Sequence, residues 1–213
     1  MTELLDVYDA NKKYIGVADR NVVHKFGLWH KVIHCWIVIK IDNNPMLVFQ
    51  RRTRNGNDVN AGKLYATAGG HLSAGETLEQ AFKRETTEEI GLPVNDLQLK
   101  LLSEGPWVGD IKKNDGSIFS DRVFFSEYYA FWNGQITDFK FNDGEVDSIV
   151  AIKLTDMFNF INYKTESVSG IEFDGKNIVN IALTEKDFAR AGDESVQEKH
   201  RHNVSMICKD LDI

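Results

Sequence analysis

Glu85, Glu88 and Glu89 fall on the same helical face as Leu78, Ala81 and Phe82 within the run GHLSAGETLEQAFKRETTEEIGL, residues 70 to 92. Residues three and four apart share one face of a helix. The stripe that faces the core therefore delivers three carboxylates to the buried side of the last turn. Glu85 is one turn from both of the others, and a helix C-terminus favours cations, so the arrangement is unfavourable unless something positive offsets it. A solvated acidic face, the usual explanation of a charge run, would carry interleaved lysines or arginines. Positions 89, 92 and 93 hold Glu89, Leu92 and Pro93 instead, and only Arg84 is placed to pair with Glu88. Clustered carboxylates with no cysteine nearby suit a hard divalent cation, Mg²⁺ or Mn²⁺, which keeps waters and takes phosphate oxygens as further ligands.

Several local signals must position that stripe. Thr77 with Gln80 makes a capping-box pattern at the start of a helix over 77–90, and Gly91 followed by Pro93 stops it. Gly69, Gly70 and Gly75 before the helix let backbone approach an ion or phosphate. Apolar or alternating runs at 32–39, 46–50, 64–68, 97–102, 123–131 and 149–154 read as strands, so the expected class is α/β with a mixed sheet. A second helix is expected over 155–163, opened by Thr155 as N-cap. The stretches 178–190 and 194–208 are expected to be helical.

Gly70, then five residues, Glu76, then seven, Arg84-Glu85, Glu88-Glu89 and Gly91-Leu92 resemble the Nudix box of the Nudix hydrolases. Thr86 is the one departure, where the pattern prefers a bulky aliphatic residue. The resemblance implies the Nudix α/β/α sandwich. It implies metal ligation by Glu85, Glu88 and Glu89 with a backbone carbonyl at Gly69 or Gly70, and a Glu76–Arg84 ion pair fastening loop to helix. It also implies Mg²⁺- or Mn²⁺-dependent hydrolysis of a small-molecule diphosphate, either a nucleoside diphosphate derivative or an organic diphosphate such as an isoprenoid one.

From about residue 4 to 160 the chain is similar to Nudix proteins related to isopentenyl diphosphate isomerase, beginning with LLDVYDANKKYIGVADRNVVHKFGLWHKVIHCWIV. In that isomerase three histidines and two acidic residues hold a metal, and a cysteine and a glutamate move the proton. His24, His30 and His71 correspond to the histidines, with a one-residue gap between the first two. Gly69 stands where the isomerase has its cysteine and Phe124 where it has its glutamate, so the resemblance implies a hydrolase on an isomerase-like frame. The alternatives are an isomerase and a catalytically silent ligand sensor. A packed, hydrogen-bonded role remains open for the histidines, His34 included.

For the attacking water's proton, Glu89, Glu127 and Glu145 are the candidate bases, with Glu145 preferred because it precedes a strand in a glycine-containing loop. Arg51 and Arg52, with Arg54, are candidates for phosphate contact, and Trp107 and Phe119 for contact with the organic group. Trp29, Trp36, Phe49 and Tyr65 are read as core.

The 213 residues, 42% hydrophobic, agree with one compact domain, which the resemblance makes a Nudix domain over 1–163, and an extension over 164–213 that packs on it and caps the sheet or mediates a homodimer. A formal charge of −7 argues against a nucleic-acid polymer as partner. No signal peptide or membrane-length apolar segment is visible, and two separated cysteines make no disulfide framework, so a reduced, cytoplasmic setting away from membranes is expected. Cys35 is expected to be a buried, inert thiol, and residues 198–202, EKHRH, an exposed mixed-charge stretch.

Overall fold

A computed structural model describes residues 3–54, 60–92, 97–112, 116–141, 144–189 and 193–213. Pro93 and Arg190 lie outside the described residues. The chain runs β1 (Leu4–Tyr8), β2 (Tyr14–Asp19), α1 (Arg20–Phe26), β3 (His30–Ile41), β4 (Asn44–Arg52), β5 (Leu64–Tyr65), β6 (Ala68–His71) and α2 (Leu78–Ile90). It continues through β7 (Lys100–Lys112), β8 (Ile118–Phe131), β9 (Val146–Lys153), α3 (Leu154–Ile161), β10 (Val168–Phe173), β11 (Ile178–Leu183) and α4 (Glu194–Asp210).

One mixed sheet runs β11-β10-β9-β4-β3-β8-β7, with β3 and β8 parallel, and β1 and β2 form a separate hairpin. Its central strands are buried on both faces, which is why their sequences read as nearly unbroken apolar runs. Ile33, Cys35, Ile37, Met46, Val48, Ile149 and Ala151 pack with Ala81, Phe82 and Ile90 of α2. Trp36, Val38, Leu47, Phe49, Val150 and Ile152 pack on the other face with Met157 of α3 and Val204 and Ile207 of α4. Each fully buried aliphatic or aromatic side chain contributes about 1.5–3 kcal/mol. Helices on both faces make the expected α/β/α sandwich. Cys35 sits in the first cluster, where burial pushes its thiol pKa up, as an inert core thiol requires.

Two sequence expectations are corrected. Residues 178–183 are strand β11, antiparallel to β10, rather than helix. β-branched Ile178, Val179 and Ile181 favour the extended form, and Gly175 at φ 90° with Asp174 accepting from the amides of Lys176 and Asn177 closes the hairpin. The extension is thus two strands of the same sheet plus the helix α4 on its outer face. Helix α3 begins at Leu154, so Thr155 lies inside its first turn and the N-cap, Lys153, makes no side-chain bond. Leu154 is fully buried and fixes where the helix enters the core.

The strand β3 creates the opening for a site. Its residues Val32–Cys35 pair with β6, whereas Ile37–Ile41 pair with β4. At that switch the end of α2 reaches through to the sheet.

Candidate functional site

Helix α2 is built as its sequence requires. The backbone N–H of Gln80 donates to Thr77 Oγ1 at 3.2 Å, that of Thr77 donates to Gln80 Oε1 at 2.9 Å, and Gly91 closes the helix at φ 66°. Arg84 donates Nε and Nη2 to the two oxygens of Glu76, each at 2.9 Å, and Nη2 also to the His71 carbonyl at 3.0 Å. This fork fastens loop to helix, and although burial opposes it, the guanidinium holds the Glu76 carboxyl below its ordinary pKa. Thr86 is buried, with its hydroxyl donating to the Phe82 carbonyl, so the departure from a bulky aliphatic is locally satisfied.

The three glutamates differ in setting. Glu89 is 3% exposed; its Oε2 accepts from the Gly69 amide at 2.9 Å and from Gln50 Nε2 at 3.2 Å. Burial, reinforced by the charge of Glu85, pushes its pKa up to about 8. Burial likewise raises Glu85 to about 7, even with Arg84 Nη1 at 2.8 Å. Glu88 is largely exposed and 3.4 Å from Arg84. A Cβ on Gly70 would lie 2.1 Å from Glu85 Oε1, so only glycine lets that carboxylate come against the backbone. A Cβ on Gly69 would lie 2.6 Å from the Ile33 carbonyl oxygen and 2.7 Å from His34 Cδ2.

Beside them lies a nest of imidazoles. His24 Nδ1 and His30 Nδ1 face the carbonyls of Arg20 at 2.8 Å and Leu28 at 3.0 Å, which makes each Nδ1 the donor and leaves each Nε2 a lone pair. Ligand atoms of His24, His30 and His71 lie within 4.8 Å of one another, and Asp121 Oδ1 is 3.8 Å from His24 Nε2 and 3.7 Å from His30 Nε2. His30 Nε2 is buried without a hydrogen-bond partner. Burial lowers the pKa of His30 and, aided by Arg20 and the neighbouring imidazoles, holds His71 well below 6.5. Burial thus disfavours the charged form of His30 and His71, and the neutral imidazole is the form in which histidine binds a metal.

Glutamates and histidines open onto a cleft of about 690 Å³. Strand β8 presents alternate residues to it, Phe119, Asp121, Val123, Phe125 and Glu127, and β7 adds Trp107 and Ile111. Phe119 stacks on His24 with ring centroids 4.1 Å apart. Arg52 and Glu145 stand together at the rim, 4.0 Å apart, with the Glu145 side chain 59% exposed.

Two candidates do not serve as expected. Arg51 is buried outside the cleft lining, its Nε donating to Glu172 Oε1 at 2.6 Å and its Nη1 to the Gly62 carbonyl, because alternate residues of β4 point to opposite faces. Glu127 lines the cleft, yet its carboxylate is saturated: His34 Nδ1 lies at 3.2 Å, Trp36 Nε1 at 3.3 Å, Lys199 Nζ at 2.5 Å, and Asn203 Nδ2 also donates to it. Burial pushes its pKa up, but the His34 hydrogen bond and the Lys199 charge outweigh this and hold it well below the usual carboxylate range, where it makes a poor base.

Sequence reasoning missed Asp121, Lys199 and His200, and Tyr65, for which core packing was the preferred reading, lines the cleft. The alternation along β8 was available as a signal for Asp121. In α4 the spacing Val196, Lys199, His200, Asn203, Val204, Ile207 marks an inward face, so 198–202 is not uniformly exposed. Among the described residues no helix is long and apolar enough to cross a membrane.

A Nudix-domain profile matches residues 31–167. An uncharacterised Nudix hydrolase of Clostridium acetobutylicum is 28% identical over 169 residues, 78% of this chain and 77% of that protein. An uncharacterised Nudix hydrolase of Rhodococcus erythropolis is 32% identical over 111 residues, 51% of this chain and 58% of that protein. Among solved structures, DR0079 from Deinococcus radiodurans has a TM-score of 0.55 at 18% identity, covering 75% of this chain and 89% of that one, and so speaks for the fold. Nudix hydrolases generally cleave diphosphate links and use divalent metal ions. A profile that spans more than half of the chain and includes the glutamates that α2 brings to the cleft makes this chain a member of the Nudix family.

Proposed function

We propose that the chain hydrolyses a small-molecule diphosphate with Mg²⁺ or Mn²⁺ in this cleft. The observation that carries the reading is the pair Glu85 and Glu89, raised chiefly by burial to about 7 and about 8, Glu89 further by the charge of Glu85, and Glu85 in spite of Arg84 Nη1 at 2.8 Å. Such a donor set fits a hard divalent cation, held by Glu85, Glu88, Glu89 and the Gly70 carbonyl. When bound, the cation neutralises diphosphate oxygens and acidifies a water.

The remaining work belongs to the chain. Arg52, at the rim, offers planar N–H donors to a phosphate. Trp107 and Phe119 hold the organic group against the sheet. Glu145 beside Arg52 accepts the water's proton, since it lines the cleft at its exposed rim. The histidine nest with Asp121 is a second cation position next to the first, supported by the orphaned Nε2 of His30.

The nest also favours one other reading, an isomerase. Against it, position 69 has no room for a side chain, and the Phe124 ring stacks on Trp29 at 4.6 Å while its neighbours Val123 and Phe125 line the cleft. Product analysis with Mg²⁺ across nucleoside diphosphate derivatives and isopentenyl, dimethylallyl and geranyl diphosphates decides between them. Phosphorus-centred cleavage that vanishes in Glu88→Gln is expected. Interconversion of the two five-carbon diphosphates without cleavage would establish the isomerase, and binding without either reaction a sensor.

A further inference from the structure

Helix α4 lies over one end of the cleft and supplies Val196, Lys199 and His200 to its wall. It is fastened by the buried carboxylate of Glu127, which accepts from Lys199 and, one turn on, from Asn203. Lys199 Nζ is 2.5 Å from Glu127 Oε1 and 4.6 Å from the centroid of the Phe125 ring. An ammonium has three N–H bonds. Glu127 takes one and the Phe125 face another, which leaves donor capacity on the cleft side. The Lys199 charge is already balanced by Glu127, so the fitting partner is a neutral acceptor, not a further anion. A hydrocarbon tail lodged there would strip water from the ammonium and offer nothing in return. Trp107, Val123 and Phe125 give the cleft wall apolar surface, two of the three aromatic.

We propose that Lys199 is a specificity-determining residue, donating to a ring nitrogen or carbonyl oxygen on a planar organic group and so selecting acceptor-bearing diphosphates over hydrocarbon ones. The inference rests on the cleft being a diphosphate site.

The test is equilibrium binding of ADP, UDP and dimethylallyl diphosphate, with Ca²⁺ in place of Mg²⁺, to wild type, Lys199→Met and Lys199→Gln. Wild type is expected to bind ADP or UDP more tightly than dimethylallyl diphosphate. Lys199→Met should weaken the nucleotide by about 10- to 100-fold, the worth of a hydrogen bond to a charged donor, and leave dimethylallyl diphosphate within about twofold. Lys199→Gln, which keeps an N–H donor, should retain most of the preference. An unchanged ratio in Lys199→Met, or equal losses for all three ligands, overturns the proposal. Should Lys199→Met not fold, wild type decides alone, since tighter binding of dimethylallyl diphosphate than of either nucleotide also overturns it. Phosphate release with Mg²⁺ is read separately. A wild type that binds but does not cleave refutes the hydrolase reading, and the binding ratio still decides Lys199.

Discussion

Replacing Glu89 by glutamine should stabilise the metal-free protein while disabling its site. The carboxyl pKa rises from 4.5 to about 8 on folding. A raised folded-state pKa means that the native state binds the proton more tightly than the unfolded one, so stability is fully present below pH 4.5 and is lost as pH rises toward 8. A 3.5-unit shift at 1.36 kcal/mol per unit gives an upper bound of about 4.8 kcal/mol at pH 8.5. Coupling to Glu85 reduces what one substitution can recover, so about 2 kcal/mol is a reasonable expectation. Glutamine keeps an oxygen for the Gly69 amide and adds no charge. For a chain of this size, 2 kcal/mol corresponds to roughly 4–8 °C in Tm. The assay is thermal denaturation in EDTA at pH 5.0 and 8.5, then with Mg²⁺. Glu89→Gln should exceed wild type at pH 8.5, approach it at pH 5.0, and lose most of the Mg²⁺-induced rise in Tm. A variant no more stable than wild type at pH 8.5 without metal would refute the argument that uncompensated burial of this carboxylate marks the site.

Other outcomes follow from the same geometry. Gly70→Ala should fold but lose at least tenfold in Mg²⁺ affinity by calorimetry, because the added methyl lands 2.1 Å from Glu85 Oε1. Arg51→Ala should cost about 3–5 kcal/mol in urea denaturation, since it leaves Glu172 partly buried without its cation, whereas Arg52→Ala should leave the denaturation midpoint nearly unchanged and raise KM. Glu145→Gln should lower kcat by about 10²–10⁴ with little change in KM, and full turnover in that variant would remove Glu145 as base. His30→Ala should reduce the number of Mn²⁺ or Zn²⁺ ions bound per chain without altering binding at the glutamates.

Much of the glutamate end of the cleft was legible because helix periodicity is rigid. Once Thr77 and Gly91 fix the ends of α2, the directions of Glu85 and Glu89 follow from their spacing. The fork between Glu76 and Arg84 was legible for the same reason. Strand faces were harder to assign: Arg51 and Arg52 are adjacent in sequence, and which of them reaches the cleft depends on register set by β9 and β5, far along the chain. The roof was illegible in another sense, since Lys199 acquires its role only from Glu127, 72 positions earlier. Residues 178–183 misled because so short an apolar run shows neither period clearly, although its β-branched residues favour a strand, and pairing with β10 decides.

The crowding at position 69 limits what chemistry that position can carry. Any side chain there would strike both the backbone oxygen of Ile33 and the ring of His34. His34 would have to yield first, and it is tied at once to Glu127 and to the Tyr65 hydroxyl at 3.0 Å. Ile33 lies in the ladder between β3 and β6, so a side chain able to carry a proton at position 69 would require the strand backbone to shift as well as His34.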